Sequence, residues 1–330
     1  MIAIKPYAEL MSIGNGVDAL KKIEFVGRTC YKSTDMITDT SSEKFVSRLI
    51  EHGHHAMLEH ASFCFVTNSH NWYRLHEMIN VLESHGFSSF LRFTDDEDAW
   101  SGQERFLVSA NVRAWRDFAQ GCLSYFGKIP SCMRDMIHKN PVLFPEYQKD
   151  SFFDKYPTGF FKPVYVEGLN VWNELLTHCD VTVKFVVDRG ISHEIVRHRV
   201  AGFAQESTRY CNYSKDKFGG EITFITPEFF IAGSPEWMLW KSQMECAEKT
   251  YMDMIELGVT PEKARTVLPN SLKTELIMTA NCREWNHFFR LRACNSTGKA
   301  HPQMLEVARP LLDEFKRTIP EVFDELTYGE

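Results

Sequence analysis

The sequence predicts an α/β protein on three observations. Apolar residues recur at helical spacing in several segments, and short alternating or β-branched runs fall between them. The composition, 44% hydrophobic and 25% charged over 330 residues, holds core enough for one large domain or two small ones.

In chain order, IAIKPY reads as a short strand, VDALKKIEFVGRT as an amphipathic helix, and SEKFVSRLIEHG as a second helix closed by Gly53. ASFCFVT alternates as a strand does. HNWYRLHEMINVLESHG has helical spacing and stops at Gly86, FLVSA is a strand candidate, and NVRAWRDFAQGCLSYFG is helical again. From about 129 to 165 the chain carries five prolines and many aromatics without a clear period, as an ordered but irregular excursion does. Regular structure returns with the strand VTVKFVVD and a helix SHEIVRHRVA, for which Ser192 is the expected N-cap and Gly202 the stop. Arg197 is thereby expected on a helix, and Ser207 in the turn after it. A strand EITFIT, a long helix PEWMLWKSQMECAEKTYMDMIELG, a short helix TPEKARTVL and an apolar stretch KTELIMTA follow, then helices NCREWNHFFRLR and HPQMLEVARPLLDEFKR. One internal echo stands out: SANVRAWRDF and TANCREWNHF share AN-x-R-x-W-x-x-F. Convergent helix starts with a packed Trp and a duplicated ligand-contacting element both account for it.

A net charge of −7 and a pI near 6.0 argue against broad attraction to nucleic acid or membrane surfaces, while a local basic pocket for a small anion remains compatible. Nine scattered cysteines without a C-x-x-C pair read as reduced thiols in a cytoplasm. MIAIKPYAELM has no basic region leading into a long apolar run, and no stretch of about 18 apolar residues occurs, so the protein is expected to be soluble and unexported.

Three constellations carry chemistry. SHEIVRH is not a zinc helix, because His193 and His198 are five apart, roughly 140° around a 3.6-residue turn. Spacing of four instead aligns His193 with Arg197 and Glu194 with His198, which reads as local pairing. HGHHAMLEH offers four histidines and Glu59, at spacing too loose for a disciplined metal site. A ligand-contacting loop or a solvated turn is the reading preferred over a metal-dependent hydrolase, and no metal is expected. In VRHRVAGFAQESTRY the cations Arg197, Arg199 and Arg209 surround Ser207, which lacks a G-x-S-x-G elbow. A donor role toward phosphate and a solvated Arg-rich turn both remain open. Arg283 and His287, four apart on one helix, share a face.

These residues resemble a known family. RHRVAGFAQES resembles the signature of flavin-dependent thymidylate synthases, an R-H-R triplet followed by seven residues and a serine, here Arg197, His198, Arg199 and Ser207. HGHHAMLEH, ARTVLP and N-x-R-x-W-x-H-F-x-x-L-R are similar to the family's other blocks and occur in its order, over roughly residues 16 to 68 and 180 to 320. The resemblance implies one α/β (α+β) domain over 1–330 with a mixed or antiparallel sheet flanked by helices, and marks 69–179 as a large insertion of unassigned role. It also implies reductive methylation of dUMP to dTMP, with 5,10-methylenetetrahydrofolate giving the carbon and FAD, reduced by NADPH, giving the hydride. Carried over by position, dUMP would meet Glu194, Arg197, Gln205, Glu206, Ser207, Thr208, Arg209, Arg265 and Arg292. Arg292 would be the catalytic residue, favouring ionisation at the pyrimidine N3. FAD would meet His54, Ala56, Arg197, His198, Arg199, Val200, Gln205, Asn281, Arg283 and His287, in sites shared between the subunits of a homotetramer. Gly202, Gln205 and Ala56 depart from the residues that members of the family carry there, commonly Ser and Glu at the first two and in some Thr at the third.

Overall fold

A computed structural model of the chain describes residues 1–14, 18–87, 90–97, 104–156, 160–169, 172–209, 211–214 and 220–329. Val17, the expected first residue of VDALKKIEFVGRT, and parts of the segment 69–179 expected as an insertion lie outside the described residues.

The first third runs β1 (Ile2–Ile4), β2 (Tyr7–Ile13), α1 (Ala19–Cys30), α2 (Ser41–Glu51), β3 (Ser62–Thr67), α3 (Ser69–Ser84), β4 (Arg92–Glu97), β5 (Glu104–Asn111) and α4 (Val112–Phe126). The irregular excursion contains α5 (Arg134–Lys139) and β6 (Phe161–Pro163). Then come α6 (Trp172–His178), β7 (Asp180–Asp188), α7 (Arg189–Ile195), β8 (Gly202–Gln205), β9 (Thr223–Ile225), α8 (Pro235–Glu256), α9 (Pro261–Ala264), β10 (Lys273–Asn281), α10 (Cys282–Arg292), α11 (Pro302–Thr318) and α12 (Pro320–Phe323).

Two antiparallel four-stranded sheets result, ordered β2-β7-β10-β8 and β4-β5-β3-β6, with a small parallel pair β1-β9. This is the α/β architecture with an antiparallel sheet flanked by helices. β7 is covered on both faces and sits between β2 and β10, which is why VTVKFVVD is mostly apolar and buried throughout except at Lys184. α10 packs Trp285, Phe288 and Phe289, at i, i+3 and i+4, into that sheet's core against Phe185 and Phe315. The second sheet has its own core, centred on Trp115, Phe118 and Phe144. Among the described residues no helix is long and apolar enough to cross a membrane.

Two local expectations change. IAIKPY is not one strand; Pro6, which has no N–H to donate to a ladder, separates β1 from β2. The helix read as SHEIVRHRVA starts three residues earlier, because the Asp188 carboxylate caps it by accepting from Ile191 N–H at 2.7 Å, and it ends at Ile195. Ser192 is inside that helix, Arg197 is beyond its end, and Gly202 opens β8 instead of stopping a helix.

The sequence echo is a repeated structural unit. β3 pairs with β5 so that Ser62 faces Asn111, and β7 pairs with β10 so that Asp180 faces Asn281. Asn111 caps α4 by accepting from Ala114 N–H (2.8 Å), and Asn281 caps α10 by accepting from Glu284 N–H (3.0 Å). Trp115 Nε1 donates to Phe63 O (3.5 Å) and Trp285 Nε1 to Val181 O (3.0 Å), each one residue beyond the strand partner of its capping Asn. The units are cross-linked reciprocally. His60 Nδ1 meets Thr279 Oγ1 at 2.8 Å, and His178 Nδ1 meets Ser109 Oγ at 2.7 Å, each hydroxyl lying two residues before the capping Asn of the opposite unit. β5 and α4, from the segment between residues 69 and 179, therefore complete with His60 and β3 a unit that mirrors β7, β10 and α10.

Candidate functional site

Residues from two of the four sequence blocks, joined by Glu194 of α7, meet around Arg292, at the C-terminal end of α10. Its Nη1 donates to Glu194 Oε2 at 2.9 Å, Nη2 to the Glu194 carbonyl at 3.2 Å, and Nε to His198 Nε2 at 3.3 Å. Since Nε2 accepts, His198 donates from Nδ1, and it does so to Glu284 Oε1 at 3.1 Å. His198 is buried, with Phe288 at 4.9 Å and His287 at 5.6 Å between ring centroids. Three of the five guanidinium N–H groups are thus held by α7 and the turn after it, and two remain to meet a ligand. The local pairing expected between Glu194 and His198 does not form. α7 ends before His198, so spacing of four no longer puts the two on one helix face.

β8 carries the chain from this clamp to the Ser207 loop. Gln205 Nε2 donates to Ser192 Oγ (2.8 Å) and Thr274 Oγ1 (3.2 Å), so the side chain at this departing position ties β8 to α7 and β10. Glu206 is 2% exposed and is held by Lys273 Nζ (3.1 Å), Lys32 Nζ (3.2 Å) and the Tyr213 hydroxyl (3.3 Å). Burial alone would lower the Lys273 pKa, but Glu206 and Glu275 raise it. Burial would likewise raise that of Glu275, yet Lys273 and Lys184 hold it down at about 2. This buried charge network makes a rigid base for the residues that follow. Ser207 N–H donates to Cys30 O (3.0 Å), and its Oγ accepts from Arg209 N–H (3.4 Å). Thr208 Oγ1 accepts from Arg265 Nη1 at 3.2 Å, which brings ARTVLP to the loop. Arg209 and Arg265 are exposed, so a hydroxyl and two guanidiniums flank one open edge. Among the described residues no histidine or carboxylate bonds to Ser207 Oγ, whose partner is the Arg209 N–H.

The residues expected to hold flavin divide. Arg199, Val200 and Asn281 line a cleft of about 470 Å³, together with Arg92, Asn111 and Arg113 from the segment between β3 and β7. Arg199 is exposed and pairs with no described residue, while Val200, Ala201, Leu91 and Ala280 give the cleft apolar walls. An aromatic ring system bearing phosphate fits that lining, a free guanidinium beside apolar wall. Arg197 is exposed at the turn, and His54 and Ala56 are exposed on the loop before β3. His287 reaches His198, whereas Arg283 turns to α6, donating to Asn173 Oδ1 (3.3 Å) and Thr177 Oγ1 (3.2 Å). The shared face of Arg283 and His287 therefore serves two different neighbours.

The histidines of residues 52–60 do not converge. His52 Nδ1 faces the Arg48 carbonyl at 2.8 Å, and His60 is buried against Thr279. Among the described residues, the group of three with metal-ligand spacing is His198, Glu284 and His287. Both nitrogens of His198 are already engaged there, and the Arg292 cation would repel a metal ion. Sequence reasoning missed Glu284, Lys32 and Lys273, which act through partners far away in the chain; it passed over Arg113, for which the echo was the available signal.

A sequence model of the family described as thymidylate synthase complementing protein matches residues 14–81 and 172–321. The chain is similar to proteins named flavin-dependent thymidylate synthase. That of Pyrococcus furiosus is 36% identical over 129 residues, 39% of this chain and 51% of that protein. That of Geobacter sulfurreducens is 34% identical over 143 residues, covering 43% and 59% of the two chains. That of Pyrococcus horikoshii is 36% identical over 177 residues, covering 51% and 71%. The aligned part spans about half the length of the Pyrococcus furiosus relative. The matched segments carry the R-H-R block, Arg265 and Arg292, and leave out residues 82–171, so the chain belongs to the thymidylate synthase complementing protein family.

Proposed function

We propose that the protein is a flavin-dependent thymidylate synthase that methylates dUMP to dTMP, with 5,10-methylenetetrahydrofolate as carbon donor and NADPH as reductant. The observation that carries this reading is the Arg292 clamp, which joins Glu194 and His198 to a guanidinium 98 and 94 positions away. Bound FAD would supply the hydride; the remaining work is binding, orientation and charge. Beside a uracil ring, the fixed Arg292 cation favours loss of the N3 proton and enriches C5 in electron density. Ser207, Thr208, Arg209 and Arg265 would take the phosphate end, with Glu206 and Gln205 bracing the loop. Arg197, between the two regions, would meet both ligands, and His198 would stand on the flavin side. Arg199, Val200 and Asn281 would meet the flavin in the cleft, and His54, Ala56, Arg283 and His287 would meet it in sites shared between the subunits of a cytoplasmic homotetramer.

Purified protein given dUMP, methylenetetrahydrofolate and NADPH is expected to form dTMP, with no product when any one is omitted. Protein that binds FAD and dUMP yet forms no dTMP would instead be a non-catalytic relative. Replacing Ser207 by alanine is expected to weaken dUMP binding by about 1–3 kcal/mol, the cost of a lost donor, with residual turnover at saturating dUMP. Calorimetric titration with dUMP checks this, and abolished turnover at unchanged affinity would restore the nucleophile.

A further inference from the structure

Arg113 lies in the inserted segment, outside the residues matched by the family, yet it occupies the same place in its unit that Arg283 occupies in the other. Each is the second residue of a helix capped by Asn, and each reaches the residue just before the cross-linking histidine. Arg113 Nη1 donates to Glu59 Oε1 at 2.6 Å, and Arg283 Nη2 to Thr177 Oγ1 at 3.2 Å. The two equivalents face different surroundings. Arg283 is spent on α6, while Arg113 lines the cleft shared with Arg199, Val200 and Asn281. Gly202, where many members of the family carry serine, closes the floor beside Glu59. A Cβ there would stand 3.1 Å from the Glu59 Cβ, so the glycine gives the Glu59–Arg113 pair its room.

We propose that Arg113 is a ligand-binding residue, supplied by the insertion to hold the phosphate-bearing part of the flavin nucleotide in this cleft opposite Arg199. The assignment rests on the flavin reading above. Glu59 and Asp117, whose carboxylates lie 2.6 and 3.7 Å from the guanidinium, pre-orient it, and its half-exposed side chain keeps N–H groups for a phosphate. The cleft, about 470 Å³, accommodates part of such a dinucleotide and leaves the rest to the R-H-R turn.

The test uses the full-length protein and its R113Q and R113K variants, with FAD affinity followed by flavin fluorescence and dUMP affinity by calorimetry. R113Q is expected to bind FAD roughly ten- to a hundredfold more weakly, R113K to recover part of that loss, and both to bind dUMP as the unaltered protein does. Thermal midpoints of the flavin-free proteins should coincide, since the side chain sits on an open helix start. R113Q with unchanged FAD affinity overturns the proposal and leaves the flavin reading standing. Unchanged FAD affinity with a raised KM for methylenetetrahydrofolate would also overturn it, by giving the cleft to folate. Unaltered protein that takes up no FAD sinks the flavin reading and the proposal together.

Discussion

Replacing Arg292 with alanine is expected to lower dTMP formation by about 10²–10³-fold while the protein keeps its flavin. The clamp explains both halves of that result. Glu194 and His198 hold the guanidinium before any ligand arrives, so no ordering cost is deferred to the reaction. The charge is then in place where a pyrimidine anion develops. The cleft assigned to flavin is lined by Arg199, Val200 and Asn281 and does not include Arg292, so FAD retention should survive. Lysine should rescue poorly, because one ammonium cannot hold the Glu194 carboxylate, its carbonyl and His198 in one plane. Single-turnover formation of dTMP, with flavin content measured on the same samples, checks this; near-normal turnover would remove Arg292 from the chemistry.

Acid should destabilise the protein from about pH 6.5 downward, through the two histidines that cross-link the repeated units. His60 and His178 are both 0% exposed. Burial pushes each down to about 3, with the Lys22 charge adding to the effect on His60 and that of Arg92 on His178. The folded pKa lies below the unfolded value near 6.5, so the neutral rings contribute stability that is complete above pH 6.5. That stability is lost as pH falls toward 3, at about 1.4 kcal/mol per pH unit for each ring. Glu306 works in the opposite direction. Burial and the Glu228 and Asp188 charges raise it to about 7, so it gains a proton on folding, but it is partly exposed and offsets only part of the slope. Asp180 contributes in a lower window. Burial would raise its pKa, but Arg92, bonded through both oxygens at 2.5 and 2.9 Å, brings it below the ordinary carboxylate value. Its stability is present above about pH 4 and is lost only below that. Urea midpoints at pH 7.5, 6.0 and 5.0 should therefore fall steadily, and the fall should be shallower in His60→Gln. A flat profile over that range would contradict the neutral buried pair.

The parts legible in sequence were those set by local chemistry. The apolar runs VTVKFVVD and KTELIMTA and the i, i+3, i+4 aromatics of α10 mark elements whose burial follows from their own pattern. Boundaries set by side-chain competition were less legible. Asp188 belongs to the strand by its neighbours, yet its carboxylate captures Ile191 N–H, so α7 starts early and leaves Arg197 and His198 in the turn where they are wanted. Pairing across the chain was not legible at all. Glu194 looks equally suited to His198 by spacing, and only the fold, which brings the end of α10 to Glu194, selects Arg292 instead. The echo at Asn111 and Asn281 showed in ten residues, but the reciprocal hydrogen bonds of His60 and His178 depend on two strand registers that no short motif encodes. The family resemblance named the site blocks, and geometry separates their members. Glu206 and Gln205 are braced inward and Arg283 is held against α6, while Arg199, Arg209 and Arg265 are exposed.

The central claim is that this chain uses a bound flavin to transfer reducing equivalents from NADPH to dUMP methylation. The visible absorption spectrum of the purified protein, recorded without oxygen before and after NADPH and again after dUMP with methylenetetrahydrofolate, tests it most directly. The account predicts a yellow protein whose flavin band bleaches with NADPH and returns as dTMP forms. A colourless protein that takes up no FAD, or a bound flavin that NADPH leaves oxidised, would contradict it.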